Sequence, residues 1–173
     1  MEALTFWKIV TVDDSNLLEG LIAELAERGI RYCVVGGQAV NAYVEPLVSL
    51  DLDLAVSTAD ADRIEPLLAQ KYRVERFAHS INVSAPGSDL RVQFQTDERY
   101  ASFPERAEVR RVLGVELPVA RLEDVLDGKV WAALDSTRRP SKRQKDLADI
   151  SRLLERFTEL RDRVPEELLR QLL

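Results

Sequence analysis

The clearest alternation of apolar and polar residues lies in a short segment in the first third of the chain. Residues 32–35 form an apolar run with β-branched side chains, which predicts a buried strand over residues 30–35 that stops at two consecutive glycines. Residues 50–54 alternate leucine with aspartate, which predicts a strand with one buried face. Because side chains at positions i and i+2 of a strand lie on one face, Asp51 and Asp53 should project together.

Asp51 and Asp53 are candidate metal ligands. Two carboxylates a few ångströms apart repel each other unless one is protonated or a cation lies between them. Mg²⁺ binds carboxylate oxygens together with substrate phosphates, so the pair predicts a site for Mg²⁺ or Mn²⁺. The alternative is an edge strand that carries two solvent-facing aspartates and binds no ligand.

Turn and helix signals surround this segment. Gly36 and Gly37 permit a tight turn, and residues 38–43 predict one or two helical turns. Apolar residues at helical spacing predict the longer helices. These are a helix capped within residues 13–15 and ended by Gly29, followed by helices over residues 58–69, 122–134, 141–157 and 165–173.

Short strands are predicted by apolar and alternating segments in the middle of the chain. They cover residues 72–77, 80–84, 90–95, 109–113 and 115–119. The sequence Pro-Gly-Ser-Asp at residues 86–89 is a turn signal and predicts a hairpin around it. Residues 5–12 are apolar and are interpreted as either an edge strand or a segment packed on a partner.

The helix predicted over residues 141–157 has a continuous apolar stripe, with Ser141 as its N-cap. The stripe places Lys145, Asp146 and Asp149 on the other face or along its edge, with Lys145 and Asp149 one turn apart. From the residues alone, this face is interpreted as a solvated surface with ion pairs of about 0.3–0.5 kcal/mol each.

Composition limits the class of protein. The chain has 173 residues, of which 46% are hydrophobic, enough for one domain with a buried core. The formal charge of -6 and the pI of about 5.0 disfavour a general electrostatic grip on nucleic acid. Cys33 is the single cysteine and is interpreted as a core residue, which excludes an internal disulfide. No targeting segment or membrane-length apolar stretch is present, so we expect a soluble cytoplasmic protein.

The order of strand, Gly-Gly turn, short helix and the strand DLDLAV resembles the polymerase-beta-type nucleotidyltransferase superfamily. The long loop from Gly37 to Asp51 is similar to that of the branch containing AbiEii toxins and lincosamide nucleotidyltransferases. The resemblance extends over residues 30–157 and includes the segment KDLAD in the later helix. It implies an α+β fold in which helices flank a mixed β-sheet. We expect a core in residues 1–120 and a C-terminal helical extension in residues 121–173, packed as one compact unit.

The resemblance also implies roles for individual residues. Asp51 and Asp53 would hold the catalytic metal. Lys145 would meet phosphate, and Asp146 and Asp149 would assist catalysis. The residues implied in nucleotide binding are Gly36, Gly37, Gln38, Ser49, Arg143 and Lys145.

Gln93 is the main departure from the family pattern. The family carries a third carboxylate on the strand after the hairpin, and the equivalent position in this chain holds Gln93. An amide oxygen can ligate magnesium, but it can neither neutralise the metal nor help to deprotonate a hydroxyl as a carboxylate could.

The activity implied by the resemblance is metal-dependent transfer of a nucleoside monophosphate from a nucleoside triphosphate to a hydroxyl, a reaction of the EC 2.7.7 type. The acceptor stays open between an RNA 3′ end, a protein and a small molecule. The resemblance also implies a toxin of a toxin-antitoxin system, with an antitoxin or a second copy of the chain as partner. The alternative, motivated by Gln93 and residues 5–12, is a catalytically degenerate binding or regulatory protein of the same fold.

Overall fold

The computed structural model describes residues 16–172, whose helices surround one seven-stranded sheet. The strands are β1 (Tyr32–Val35), β2 (Asp51–Val56), β3 (Arg73–Arg76), β4 (Ser80–Ser84), β5 (Arg91–Gln95), β6 (Glu108–Val112) and β7 (Val115–Val119). The α-helices in this part of the chain are α1 (Leu17–Glu27), α2 (Gly36–Asn41), α3 (Thr58–Leu68), α4 (Leu122–Leu134), α5 (Pro140–Arg156) and α6 (Glu166–Leu169). The 3-10 segments are Glu98–Tyr100, Phe103–Arg106 and Thr158–Arg163. Residues 5–12 and 13–15, for which the sequence predicts a strand and a helix cap, lie outside the described residues.

The sheet is mixed, with the strand order β3-β4-β5-β2-β1-β7-β6. β1 is antiparallel to β2 and parallel to β7, and β2 is parallel to β5. The pairs β3-β4, β4-β5 and β6-β7 are antiparallel. The prediction of an α+β fold with a mixed sheet flanked by helices is confirmed, and the hairpin around residues 86–89 is present as β4-β5.

Burial follows the alternation in the sequence of β2. Leu52 and Leu54 are buried, whereas Asp51 and Asp53 on the other face remain partly exposed. The two leucines join the buried leucines of α1 in one hydrophobic cluster. A shift of β2 by one residue would bury both aspartates, so the cost of burying unpaired carboxylates fixes the register.

The register also places a row of polar side chains across the sheet. Asp53 lies opposite Val35 of β1 and beside Gln93 of the parallel strand β5. Gln93 in turn lies opposite Asn82 of β4. Gln93 is therefore the nearest β5 neighbour of Asp53 along the direction of the strand pairing.

Three helix boundaries differ from the sequence prediction. α2 begins at Gly36 itself, and Gly36 has φ +66°, a backbone conformation that glycine adopts without strain. α5 begins at Pro140, so Ser141 is not its N-cap. Proline is tolerated there because the amides of the first turn have no acceptor within the helix. α6 ends at Leu169, before the predicted residue 173.

Cys33 matches the interpretation of the single cysteine as a core residue. Cys33 is fully buried in β1, and burial raises the pKa of its thiol to about 12, so it is an unreactive core residue. Within residues 16–172, no helix is both long and apolar enough to cross a membrane.

Candidate active site

Asp51 begins β2 and carries two ion pairs. Its Oδ1 atom lies 2.7 Å from Nε of Arg91, the first residue of β5. Its Oδ2 atom accepts a hydrogen bond of 2.8 Å from Nζ of Lys142 in α5. Both cations are partly exposed, so solvent screens these pairs and each contributes little to stability.

Asp53 is the carboxylate at the centre of the site. It has no ion pair with any residue from 16 to 172. Its pKa is raised to about 6, first by burial and further by the charge of Asp51, while Lys129 acts in the opposite direction. A Cβ atom at Gly36 would overlap with Oδ2 of Asp53, so only glycine leaves room for this carboxylate beside the start of α2.

The two aspartates fit a magnesium site that is completed by substrate. In the described part of the chain there is no cluster of three or more His, Cys, Asp or Glu side chains that could hold a metal alone. Mg²⁺ usually binds one or two protein carboxylates and takes its other ligands from phosphates and water. A cation between Asp51 and Asp53 would also relieve the repulsion that helps raise the pKa of Asp53.

A second pair of carboxylates, Asp146 and Asp149 in α5, holds a buried lysine from α4. Lys129 Nζ lies 3.1 Å from Asp146 Oδ1 and 2.7 Å from Asp149 Oδ2, and all three side chains are at most 8% exposed. Burial lowers the pKa of Lys129, but the charges and hydrogen bonds of Asp149 and Asp146 outweigh it, so the pKa is raised and Lys129 stays charged. An ammonium has three donors, so two bonds to carboxylates leave one N–H for a ligand.

Two arginines complete the bonding of these carboxylates. Arg138 Nε donates a hydrogen bond of 2.8 Å to Asp146 Oδ2. Arg152 donates one of 2.8 Å to Asp149 Oδ1, and it also bonds the side chain of Asn41 and the main-chain oxygen of Glu45. Arg152 therefore ties α5 to the end of α2 and to the loop that leads into β2.

These side chains surround a cavity of about 180 Å³, which we call the cationic cavity. Its lining includes five cations and three carboxylates: Lys129, Arg138, Lys142, Lys145, Arg152, Asp51, Asp53 and Asp149. Because cations are in excess, the cavity has a net positive charge although the whole chain carries -6. It is therefore suited to an anion that brings its own metal, such as a polyphosphate.

The family profile described as nucleotidyl transferase AbiEii toxin, type IV TA system, matches residues 36–173, which include the glycines, β2, α4 and α5. The chain belongs to the AbiEii nucleotidyl transferase family. The predicted family is thereby confirmed, and membership supports a nucleotidyl transfer activity. No curated protein matches the chain.

Solved structures similar to this AbiEii family member are nucleotidyltransferases. The solution structure of the antibiotic-resistance factor ANT(2'')-Ia matches with a TM-score of 0.55 and 16% identity, over 86% of this chain and 95% of that one. ANT(2'')-Ia in complex with adenylyl-2''-tobramycin matches with a TM-score of 0.57 and 17% identity, over 81% and 87%. A putative nucleotidyltransferase from Thermotoga maritima matches with a TM-score of 0.51 and 15% identity, over 67% and 82%. At these identities the matches show that the fold is shared.

Several residues that the sequence assigns to the AbiEii site lie together in the structure. The cationic cavity is lined by Gly37, Ser49 and Lys145 as well as by the β2 aspartates and Asp149. A Cβ atom at Gly37 would lie 3.9 Å from Asp149 Oδ2, an ordinary contact, so Gly37 is next to that carboxylate but is not required to be glycine by it. Lys145 is exposed and has no ion-pair partner within residues 16–172, which leaves its ammonium available for a ligand.

Two other assigned residues have structural contacts instead. Gln38 is 1% exposed, and its amide donates a hydrogen bond to the main-chain oxygen of Ser49 and accepts one from Asn41. Arg143 points to the C-terminal part of the protein, where it bonds the main-chain oxygen of Ala133 and the side chain of Gln171. Gln38 thus supports the loop before β2, and Arg143 does not line the cationic cavity.

The interpretation of the α5 face as a solvated surface is wrong for its aspartates. Asp146 and Asp149 are 1% and 8% exposed, and neither is paired with Lys145. They turn inward because α4 packs along α5 and supplies Lys129 as a partner. Helical periodicity within α5 cannot reveal a partner that belongs to another helix.

Four cations of the site lie outside the recognised KDLAD segment: Lys129, Arg138, Lys142 and Arg152. A signal for Lys129 nevertheless exists. It lies on the apolar face of α4, following Val125 and Leu126 at helical spacing, where a lysine requires a buried anionic partner. Arg138 and Arg152 are common surface residues by sequence, and only the tertiary contacts distinguish them.

Proposed function

We propose that the protein is a metal-dependent nucleotidyltransferase that moves a nucleoside monophosphate from a nucleoside triphosphate to the hydroxyl of an acceptor. The main support for the proposal is that the two β2 carboxylates and an excess of cations line the same cavity. Nucleotidyl transfer requires metal ligands, phosphate donors and an aligned acceptor, and the cavity offers the first two.

The proposed role of each residue follows from its surroundings. Asp51 and Asp53 hold Mg²⁺ or Mn²⁺, which would neutralise charge on the phosphates and polarise the reacting phosphoryl group. Lys129, fixed by its two carboxylates, presents its remaining N–H to the phosphates. Lys145 binds the outer part of the triphosphate because it is exposed and lacks an ion pair within residues 16–172.

The proposed reaction is an in-line displacement at the α-phosphorus. The acceptor oxygen forms a bond to this phosphorus, the bond from phosphorus to the bridging oxygen breaks, and pyrophosphate leaves. The proton of the acceptor hydroxyl is released to solvent. Asp146 and Asp149 act indirectly, since they position Lys129, Arg138 and Arg152 rather than touch the reacting atoms.

Calorimetric titration of each nucleoside triphosphate, with and without Mg²⁺, tests the proposal. We expect magnesium-dependent binding that is lost in the double variant Asp51→Asn/Asp53→Asn. A matched control is Asp62→Asn/Asp89→Asn, which removes the same charge from exposed positions away from the cavity. With a nucleotide labelled at the α-phosphate, we expect turnover to fall about 10³-fold in the first variant, or about 4 kcal/mol of barrier, and to stay constant in the control. Retained turnover in the first variant would refute the mechanism.

The structure also motivates a second candidate, a nucleotide-binding protein of this family without turnover. Its basis is Gln93, which occupies the β5 position beside Asp53 and supplies no third negative charge. Nucleotide binding with no transfer to water or to any hydroxyl compound would favour this candidate. Transfer of labelled phosphate would exclude it.

We further propose that the biological role is that of the toxin in a toxin-antitoxin pair, in keeping with the description of the family. Induced expression of the protein in bacteria should arrest growth, and the Asp51→Asn/Asp53→Asn variant should not. Growth arrest by both proteins would show that toxicity is independent of the proposed chemistry.

A further inference from the structure

A second cavity lies next to the cationic cavity and shares part of its wall. It has a volume of about 180 Å³ and is bounded on one side by Asp53, Lys129 and Arg138, which also line the cationic cavity. Its remaining polar side chains are His79, Gln95, Asp97, Arg99, Tyr100, Asp124 and Asp135. The three shared side chains therefore form the boundary between two separate spaces.

This arrangement matches the geometry of phosphoryl transfer. The attacking and the leaving oxygen lie roughly in line on opposite sides of the reacting phosphorus. If the pyrophosphate group occupies the cationic cavity and the metal lies at Asp53, the attacking hydroxyl must approach from beyond that boundary. We infer that the second cavity, which we call the acceptor cavity, binds the acceptor, and that the acceptor group is a single hydroxyl-bearing sugar ring. This inference rests on the proposed function.

The size of the cavity limits the acceptor group. A volume of 180 Å³ corresponds to about six water molecules at ~30 Å³ each. It therefore accommodates one ring with its substituents. A longer acceptor could place only its terminal ring in the cavity.

The lining favours a ring that forms hydrogen bonds over a ring that stacks. The side chains of His79 and Gln95 and the hydroxyl of Tyr100 form no hydrogen bond with any residue from 16 to 172, so all three can bond a ligand. Trp131, the other aromatic residue of the lining, already stacks on Phe103 with centroids 5.8 Å apart and is covered by the Arg99 guanidinium at 4.9 Å. An acceptor hence meets polar edges rather than a free indole face, as suits a polyhydroxylated ring.

Tyr100 is a hydrogen-bond donor of the acceptor cavity, and its ring is held in place by its neighbours. Its ring is held edge-on against both Phe103 and Trp131. Burial raises the pKa of its hydroxyl to about 12, and the nearby carboxylate of Asp53 acts in the same direction, so the group is neutral at pH 7. Gly128 of α4 makes room for the ring, since a Cβ atom there would lie 3.2 Å from Cε1 of Tyr100. Tyr100 thus donates a hydrogen bond to the acceptor ring close to Asp53 and acts as a positioning residue.

The test uses a substitution that fills the acceptor cavity and changes no residue that lines the cationic cavity. Ala132→Met places a longer side chain in the acceptor cavity, and Leu134→Met is the matched control at an exposed position of the same helix that lines neither cavity. The probes are methyl α-D-glucopyranoside, methyl β-D-ribofuranoside, the four ribonucleosides and the corresponding free bases. Binding is followed by saturation-transfer NMR with Mg²⁺ and a nucleoside triphosphate analogue carrying a non-cleavable methylene between the α- and β-phosphates.

We expect at least one sugar-containing probe to bind to the wild type and to Leu134→Met. Its affinity should fall more than tenfold in Ala132→Met and severalfold in Tyr100→Phe. A response to the pyranoside would indicate a free sugar as the source of the ring, and a response to ribonucleosides would indicate a nucleotide terminus. Binding of the free bases alone, equal binding by Ala132→Met, or no binding of any probe would overturn the inference.

Titration of the nucleotide analogue into the same proteins separates the two proposals. Retained nucleotide binding without sugar binding would refute only the acceptor cavity. Loss of nucleotide binding in the wild type itself would refute the proposed function. We expect Ala132→Met to bind the analogue as the wild type does, which also shows that the variant is folded.

Discussion

The β2 carboxylates and Asp149 of α5 all line the cationic cavity, yet the bonding of the β2 pair differs from that of the α5 pair, Asp146 and Asp149. Asp146 and Asp149 are buried, and both are bonded to Lys129 and to an arginine. Asp51 has only partly exposed cations, and Asp53 has no ion pair within residues 16–172. The α5 pair is therefore held by a shared buried lysine, whereas in the β2 pair Asp51 has only solvent-screened cations and Asp53 has no cation bonded to it within residues 16–172.

This difference in bonding indicates different roles for the two pairs: the α5 pair supports the site, and the β2 pair takes part in the chemistry that we propose. Buried charges with complete bonding hold one another in a fixed geometry, and removing one member leaves the others uncompensated. Asp53, which has no ion pair within residues 16–172, remains available to an added cation, and its raised pKa indicates the cost of leaving it without one. The α5 pair thus positions the cations of the site, and the β2 pair binds the metal in our proposal.

The largest expected effect comes from removing the lysine that the α5 pair holds. Lys129→Met should lower the free energy of unfolding by about 3–5 kcal/mol, because Asp146 and Asp149 would stay buried without their shared cation. Chemical denaturation measures this change. Lys145→Met is the control, since its exposed side chain has no ion pair within the described residues, and it should unfold as the wild type does. Equal stability of both variants would show that the α5 pair needs no internal cation.

The next effect concerns the pH dependence of stability through Asp53. Its pKa is about 6 in the folded protein and near 3.8 in the unfolded chain, so the folded state binds more protons between these values. The free energy of unfolding should therefore decrease as pH rises, by about 2 kcal/mol between pH 4 and pH 6 and by about 3 kcal/mol over the whole titration of this group. The difference between the wild type and Asp53→Asn isolates the contribution, because Asn does not titrate. Parallel stability profiles of the two proteins would contradict it.

A smaller effect is expected from adding a negative charge to the β2 pair. Gln93→Asp places a third carboxylate on β5 beside Asp53. Without metal this variant should be less stable than the wild type, because the new charge adds repulsion. Its affinity for Mg²⁺ should rise about tenfold, since Mg²⁺ binding strengthens with the charge of its ligands. Calorimetric titration of Mg²⁺ measures the change, and Gln95→Asp, one pleat further along the strand, is the control.

The smallest effect should come from Lys145, the exposed cation of the cavity. Lys145→Met should weaken binding of a nucleoside triphosphate about threefold to tenfold and leave binding of the monophosphate unchanged, because we place the lysine at the outer phosphates. Competition titrations with the two nucleotides measure the ratio. An equal loss for both would place Lys145 at the α-phosphate instead.

Local sequence patterns were sufficient to predict most of the strands and helices and the β2 side of the site. The alternation in DLDLAV determines that Asp51 and Asp53 share a face, because strand geometry depends only on neighbouring residues. The turn residues at 86–89 likewise determine the β4-β5 hairpin, whereas the parallel pairing of β5 with β2, which brings Gln93 beside Asp53, is a tertiary contact. Helix ends were less certain because Pro140 and Ser141 offer competing starts within one turn.

The side of the site formed by α4 and α5 was determined by tertiary structure. Asp146 and Asp149 read as surface residues in the sequence of α5, and Lys129 reads as an isolated lysine in α4. Only the packing of α4 against α5 brings the three together and excludes water from them. Arg143 shows the same limit, since its sequence neighbours are site residues while its side chain points to Ala133 and Gln171. Charge pairing across elements depends on distances that no local period encodes. For this reason the sequence determined that the two β2 carboxylates share a face, while the tertiary structure determined which cations face them.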